Sequence, residues 1–194
     1  MKIGRAELLA VAVKKSQYPV SGPPEIAFAG RSNVGKSSLL NLLTGRRKLA
    51  KVSGSPGKTV TINFYAINGD AFRIVDLPGY GYAKVARSRS EQWGDMIEAY
   101  LKNRDRLRKV ALLVDIRHEP SAQDRQMYDW LKYYGFDGLV VATKSDKIPR
   151  GGWAKNLKAI RDGLSMGKDD VVVPVSTLQR SGVEDLLGEI EKAL

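Results

Sequence analysis

At 194 residues the chain has the length of one domain with a single proper core, and its lack of cysteine excludes disulfides and any thiol-based zinc site or nucleophile. The one histidine, His118, is a poor basis for a metal centre, no apolar run approaches the roughly 18 residues of a membrane span, and no signal-peptide pattern opens the chain, so a cytoplasmic protein is expected. Thirty-two basic against 21 acidic side chains leave a formal charge of +11, high for a small enzyme and suited to a phosphate-rich partner.

In chain order, residues 1–24 form an N-terminal segment in which Ala6 to Lys14 either adds a short strand or lies on the surface. The main domain spans 25–194 and opens on the apolar strand Ile26 to Ala29. Next comes Gly30-Arg31-Ser32-Asn33-Val34-Gly35-Lys36-Ser37, then Ser38 and an apolar run to Leu43, with a helix expected over Lys36 to Leu43. Strand, glycine loop and helix in that order make a phosphate-binding loop. Backbone N–H groups of the loop and of the helix end converge on one hollow, and the helix dipole adds positive potential there. Lys36 would reach the β- and γ-phosphates, and the Ser37 hydroxyl would ligate Mg²⁺.

Arg46 to Lys58, rich in charge, Gly, Ser and Pro, is expected to be a long loop. It ends Gly57-Lys58-Thr59 and enters a strand running to Ile67. A threonine here can bind Mg²⁺ and the γ-phosphate in one nucleotide state and release them in the other. Thr59 is the first choice and Thr61 the second; the alternative is that both are ordinary strand residues. Asn68-Gly69-Asp70 turns a hairpin into the buried strand Phe72 to Val75, so one edge strand should run antiparallel. That strand delivers Asp76-Leu77-Pro78-Gly79: a carboxylate placed for Mg²⁺ through water, then a glycine whose N–H can sense the γ-phosphate.

Further strands are expected at Lys109 to Val114, Leu139 to Ala142 and Val171 to Val175, alternating with helices at Ser90 to Asn103, Ser121 to Tyr134, Trp153 to Ser165 and Val183 to Leu194. Such alternation gives a mainly parallel sheet with helices on both faces. The strand at Leu139 ends in Thr143-Lys144-Ser145-Asp146. A carboxylate at Asp146 accepts two hydrogen bonds from guanine N1–H and its exocyclic amine. Adenine offers a lone pair there instead, and an unpaired buried group costs about 1–3 kcal/mol, which discriminates strongly. The stem of Lys144 can lie along the base; Thr143 stands where this motif usually has Asn. After the last strand, Val175-Ser176-Thr177 can present N–H groups to guanine O6. All these motifs end strands, where ligands of open parallel sheets bind.

These residues resemble the EngB family (also YihA or YsxC) of the TrmE-Era-EngA-EngB-Septin-like GTPase class. The likeness runs from about Glu25 to the C-terminus and includes Pro56-Gly57-Lys58-Thr59, Ile62-Asn63-Phe64-Tyr65, Asp115-Ile116-Arg117-His118-Glu119-Pro120 and the family-specific Pro78-Gly79-Tyr80-Gly81-Tyr82-Ala83. The resemblance implies a single Ras-like P-loop GTPase domain, binding GTP and GDP, that assists maturation of the large ribosomal subunit and is needed for normal growth, cell division and septation. It is expected to act as a monomer without a membrane partner.

Many GTPases carry a water-orienting glutamine directly after the Asp-x-x-Gly turn. Here Tyr80 occupies that position, so intrinsic hydrolysis should be slow and stimulated by a partner or by K⁺. Asn33 is the candidate for holding K⁺, since related GTPases use asparagine at that loop position; the alternative is that it only shapes the loop. Basic clusters at Arg46-Arg47-Lys48 with Lys51, at Lys84, Arg87 and Arg89, and at Arg104, Arg106, Arg108 and Lys109 suit rRNA phosphates. Tyr80 and Tyr82 either stack on unpaired bases or on a partner, or pack within their loop. Two other classes share parts of this pattern: an ATP- or GTP-using kinase or transporter-type ATPase, and a basic rRNA-binding module in which nucleotide binding is secondary.

Overall fold

The computed structural model describes residues 1–46, 49–50, 60–81 and 87–194, with the side chains of 87–92 not described. Seven strands form one sheet in the order β1-β3-β4-β2-β5-β6-β7. They are β1 (Ala6–Ala12), β2 (Glu25–Gly30), β3 (Ile62–Ile67), β4 (Phe72–Asp76), β5 (Leu107–Asp115), β6 (Leu139–Thr143) and β7 (Val171–Val175). Five helices alternate with them: α1 (Lys36–Leu43), α2 (Arg87–Lys102), α3 (Ala122–Tyr133), α4 (Trp153–Gly163) and α5 (Val183–Glu191).

β4, β2, β5, β6 and β7 run parallel, each pairing with its neighbour, with one register shift between Glu25 and Ile26 where β2 meets β5. β3 runs against them, paired antiparallel to β4 on one side and to β1 on the other. The expected α/β class therefore holds, with the antiparallel β1–β3 pair closing one edge. The N-terminal segment thus contributes a strand, and its register slips between Leu8 and Ala10. Bulges of this kind twist an edge strand away from unwanted pairing.

The strands that pair on both sides read as continuous apolar runs because both faces of the sheet are covered. Alternate residues divide between two cores. Ile26, Phe28, Ile74, Leu113 and Val141 pack with Leu39, Leu40 and Leu43 of α1 and Leu186 and Ile190 of α5. Ala27, Ala29, Val75, Leu112 and Ala142 pack with Ile97 and Tyr100 of α2, Met127 and Leu131 of α3, and Ile160 of α4. α3 starts where Ser121 accepts from the Asp124 N–H while the Asp124 carboxylate accepts from the Ser121 N–H, a reciprocal cap.

At the amino end of β2 a charged cluster is sealed in. Glu25 is fully buried and accepts from Arg104 Nε (2.8 Å) and Tyr100 Oη (3.0 Å), with a further contact to Arg104 Nη2. Arg104 Nη1 also donates to the Pro19 carbonyl at 2.9 Å, and its guanidinium lies 5.5 Å from the Phe64 ring centre. Arg73 clamps Asp70 and donates to the Ser21 carbonyl. This corrects the sequence-based grouping of Arg104 with an RNA-facing patch: it is consumed in fixing the 18–24 segment beneath the sheet. Arg106 and Arg108 remain exposed, at the sheet end remote from the phosphate loop.

Candidate nucleotide site

The phosphate loop connects β2 to α1 and turns on two residues of positive φ, Asn33 (64°) and Gly35 (107°). Gly35 is the N-cap of α1, and no side chain caps that helix. At φ 107° an L side chain would be strained, which is why glycine stands there. The main-chain N–H groups and dipole of such a helix start favour an anion.

Asp76 ends β4, and the β2–β4 register sets it opposite Phe28, beside the phosphate loop. Its carboxylate forms a close ion pair with Lys36 Nζ; the two side chains are 9% and 11% exposed. Leu77 N–H donates to the Phe28 carbonyl, Tyr80 N–H to the Gly30 carbonyl, and Ser32 N–H to the Tyr80 carbonyl. The Asp76–Gly79 turn is thereby zipped onto the phosphate loop. A Cβ on Gly79 would approach Ser32 N to 3.2 Å, so only glycine fits this contact comfortably.

Tyr80 turns away from the loop. It is 4% exposed, donates through Oη to Asp124 Oδ1 at 2.8 Å and meets the Trp93 ring edge-on at 5.3 Å. Burial, then the adjacent Asp124 carboxylate, push its phenol well above the ordinary value, so it stays a donor. Trp93 in turn donates to the Pro78 carbonyl and stacks on Trp130. Base stacking by Tyr80 is therefore excluded in this structure: it anchors the turn to α3.

The base-side motifs converge from β6 and β7. Thr143 Oγ1 lies 2.8 Å from the Val34 carbonyl and 3.0 Å from the Val114 carbonyl, tying β6 to the phosphate loop. Lys144 has φ 62° and sends Nζ to the Asn33 carbonyl at 3.0 Å. Ser176, fully buried, donates to Asp146 Oδ1 at 2.6 Å, while Gln179 N–H donates back to the Ser176 oxygen. The Ser176 hydrogen bond holds the Asp146 carboxyl below its ordinary range, against the opposing effect of burial. Ser145 is buried with its hydroxyl unpartnered among the described residues.

Val34, Leu77 and Val175 point their side chains into the core, so only their main-chain groups can face a ligand. Arg31 and Ser38 are exposed, and Thr177 sits half-buried in the turn after β7. Gly57, Lys58 and Thr59 lie outside the described residues, as do Arg47, Lys48, Lys51, Tyr82 and Lys84. One residue of this edge entered the family resemblance but was given no role from sequence. Asp115, at the end of β5, pairs with Lys144 Nζ at 2.9 Å and accepts from Arg117 Nη2 at 2.7 Å. Its signal was present, since a carboxylate closing the apolar run Val110 to Val114 repeats the pattern that revealed Asp76.

A family model described as 50S ribosome-binding GTPase matches residues 25–144. A probable GTP-binding protein EngB of Alkaliphilus oremlandii is 56% identical over 192 residues, covering 99% of this chain and 92% of the relative. The chain belongs to the EngB family of GTP-binding proteins. The Bacillus subtilis EngB is 50% identical over 194 residues, covering 100% of this chain and 99% of its own. A crystal structure of a probable EngB superposes with a TM-score of 0.72 at 27% identity, over 87% of this chain and 97% of that one. Membership in EngB gives the chain a P-loop GTPase fold and GTPase activity.

For Mg²⁺, the fit rests on the donor set. Ser37 offers a hydroxyl and Asp76 a single carboxylate, with no group of three or more His, Cys, Asp or Glu among the described residues. A cation that prefers oxygen, keeps its waters and borrows phosphate oxygens needs no more protein ligands than this. Among the described residues no helix is long and apolar enough to cross a membrane.

Proposed function

We propose that the chain is a cytoplasmic, monomeric guanine-nucleotide switch in assembly of the large ribosomal subunit, required for normal growth and for division and septation. The observation that carries the nucleotide half is the mutual tethering of remote motifs at one sheet edge: Lys36 to Asp76, Thr143 to the Val34 carbonyl, and Ser176 to Asp146. The ribosomal half draws on the family description, 50S ribosome-binding GTPase, and on the +11 charge.

In the proposed mechanism the Lys36–Asp76 pair exchanges partners on nucleotide entry. Lys36 turns to the β- and γ-phosphates, and Asp76, with Ser37 and Thr59, faces the cation side. Bound Mg²⁺ would neutralise phosphate charge. Main-chain N–H groups from residue 33 and residues 35–38 receive the phosphates, Gly79 N–H faces the γ-phosphate, and Asp146 accepts from the guanine edge beside the Lys144 stem. With Tyr80 committed to Asp124, no amide side chain directly follows Gly79 to orient water, which supports slow intrinsic turnover. Asn33 is the proposed K⁺ contact; equal turnover in K⁺ and Na⁺ would remove it from the mechanism.

Sedimentation with ribosomal subunits in GTP, GDP or a non-hydrolysable analogue tests the switch. Co-migration of the triphosphate form with large subunits is the expected result. Binding that ignores nucleotide and the Lys36→Ala substitution would replace the switch with a basic rRNA-binding module.

A further inference from the structure

We propose that Asp115, braced by Arg117, is a positioning residue for the base: it fixes the Lys144 ammonium against the phosphate loop so that the lysine stem is laid along the guanine plane before nucleotide arrives. The inference rests on the guanine-nucleotide assignment above.

The geometry is a two-sided tether. Lys144 Nζ reaches the Asn33 carbonyl at 3.0 Å and Asp115 Oδ2 at 2.9 Å, so its head is bound to both the phosphate loop and the end of β5. The β5–β6 register pairs Asp115 with Thr143, immediately before Lys144, and so delivers the carboxylate to the right height. Lys144 also holds a left-handed backbone, φ 62°, that a non-glycine residue keeps only when its surroundings over-determine it. A lysine side chain loses much rotamer freedom when immobilised, and doing so ahead of binding spares the nucleotide that cost.

Arg117 does not reach Lys144's role; it completes Asp115. Its backbone N–H and Nε donate to Oδ1 at 3.1 and 2.9 Å, and its Nη2 to Oδ2 at 2.7 Å. Burial works against the Asp115 charge, but the Arg117 and Lys144 hydrogen bonds outweigh it and hold the carboxyl well below its ordinary range. Two cations and one carboxylate leave a net positive corner at the mouth of a site for a polyanion. Without Asp115 the two cations would face each other, and Lys144 would lose one of its two anchors.

A double-mutant cycle separates positioning from a merely structural role. GDP is the probe, titrated by calorimetry into wild type, Asp115→Asn, Lys144→Ala and the double variant, with GDP release timed by stopped flow. Asp115→Asn is expected to weaken GDP about tenfold through faster release, a change of about 1.4 kcal/mol. In the Lys144→Ala background the same substitution should add less than about twofold, because nothing remains to be positioned. Full-strength loss in both backgrounds, or unchanged affinity in Asp115→Asn, would overturn the proposal. Should Asp115→Asn melt early without nucleotide, Arg117→Ala, whose side chain is 39% exposed, is run through the same cycle. A roughly threefold loss that disappears with Lys144→Ala is then expected, and a loss independent of Lys144 would contradict it. Failure of wild type itself to bind GDP, or equal binding of ADP, would instead fell the guanine-nucleotide assignment.

Discussion

The two ends of the sheet carry similar charges to opposite purpose. At the amino end, Glu25 is saturated: Arg104, Tyr100 and Arg73 surround it, and the arginines spend their remaining donors on backbone carbonyls and on Asp70. At the carboxyl end Asp76 and Asp146 each meet one cation among the described residues, Lys36 for Asp76 and Lys147 at 3.4 Å for Asp146, while Asp115 beside them is held by two. Burial does not distinguish the ends, since Glu25, Asp76 and Asp146 side chains are 0%, 9% and 7% exposed. Saturation does. A closed network holds chain together, whereas an open one can trade partners with a ligand.

The sharpest break is expected at the closed end. Glu25→Ala leaves the buried Arg104 guanidinium without its carboxylate and should cost about 3–5 kcal/mol in urea unfolding. The GDP affinity of the folded fraction should stay that of wild type. Loss of GDP binding at full folding would put the cluster in the site and erase the contrast.

At the open end the signs reverse. Lys36→Ala should weaken GDP on the order of 10²-fold by calorimetry, since charge-assisted contacts to two phosphates are lost. Its nucleotide-free stability should fall by only about 1–3 kcal/mol, the cost of leaving Asp76 without its cation. A stability loss matching that of Glu25→Ala would make the Lys36–Asp76 pair a structural staple.

The smallest effect concerns pH. The Ser176 hydrogen bond lowers the Asp146 pKa, so the charged form, the one proposed to accept from guanine, persists below the ordinary carboxylate range and is lost only as pH falls through that lowered value. Ser176→Ala removes the largest cause, so the acid limb of GDP affinity should move to higher pH, with a few-fold loss at pH 7. An acid limb that does not move would disconnect Ser176 from Asp146.

The contrast also explains what sequence could convey. The convergence of the proposed phosphate loop, Asp76 and Asp146 on one sheet edge was legible because each ends or closely follows an apolar strand run, and backbone direction then brings them together without further information. α1 was placed residue for residue, its start fixed by Gly35. Arg104 was misplaced because a basic residue in a charged stretch looks the same whether it faces solvent or a buried carboxylate 79 positions away. Tyr80 was left between two roles because its partner, Asp124, belongs to a distant helix. β1 was left undecided since Leu8, Leu9 and Val11, half-exposed on an edge strand, blur the alternation that marks a buried face.

The most direct test of the open-edge account is calorimetry of Asp146→Asn with GDP and with xanthosine diphosphate. Asparagine's amide can donate to the 2-oxo group of xanthine but cannot accept both guanine donors, so GDP should weaken on the order of 10²-fold or more while xanthosine diphosphate gains affinity. Unchanged GDP affinity in this variant, with no gain for xanthosine diphosphate, would mean that the base does not meet Asp146.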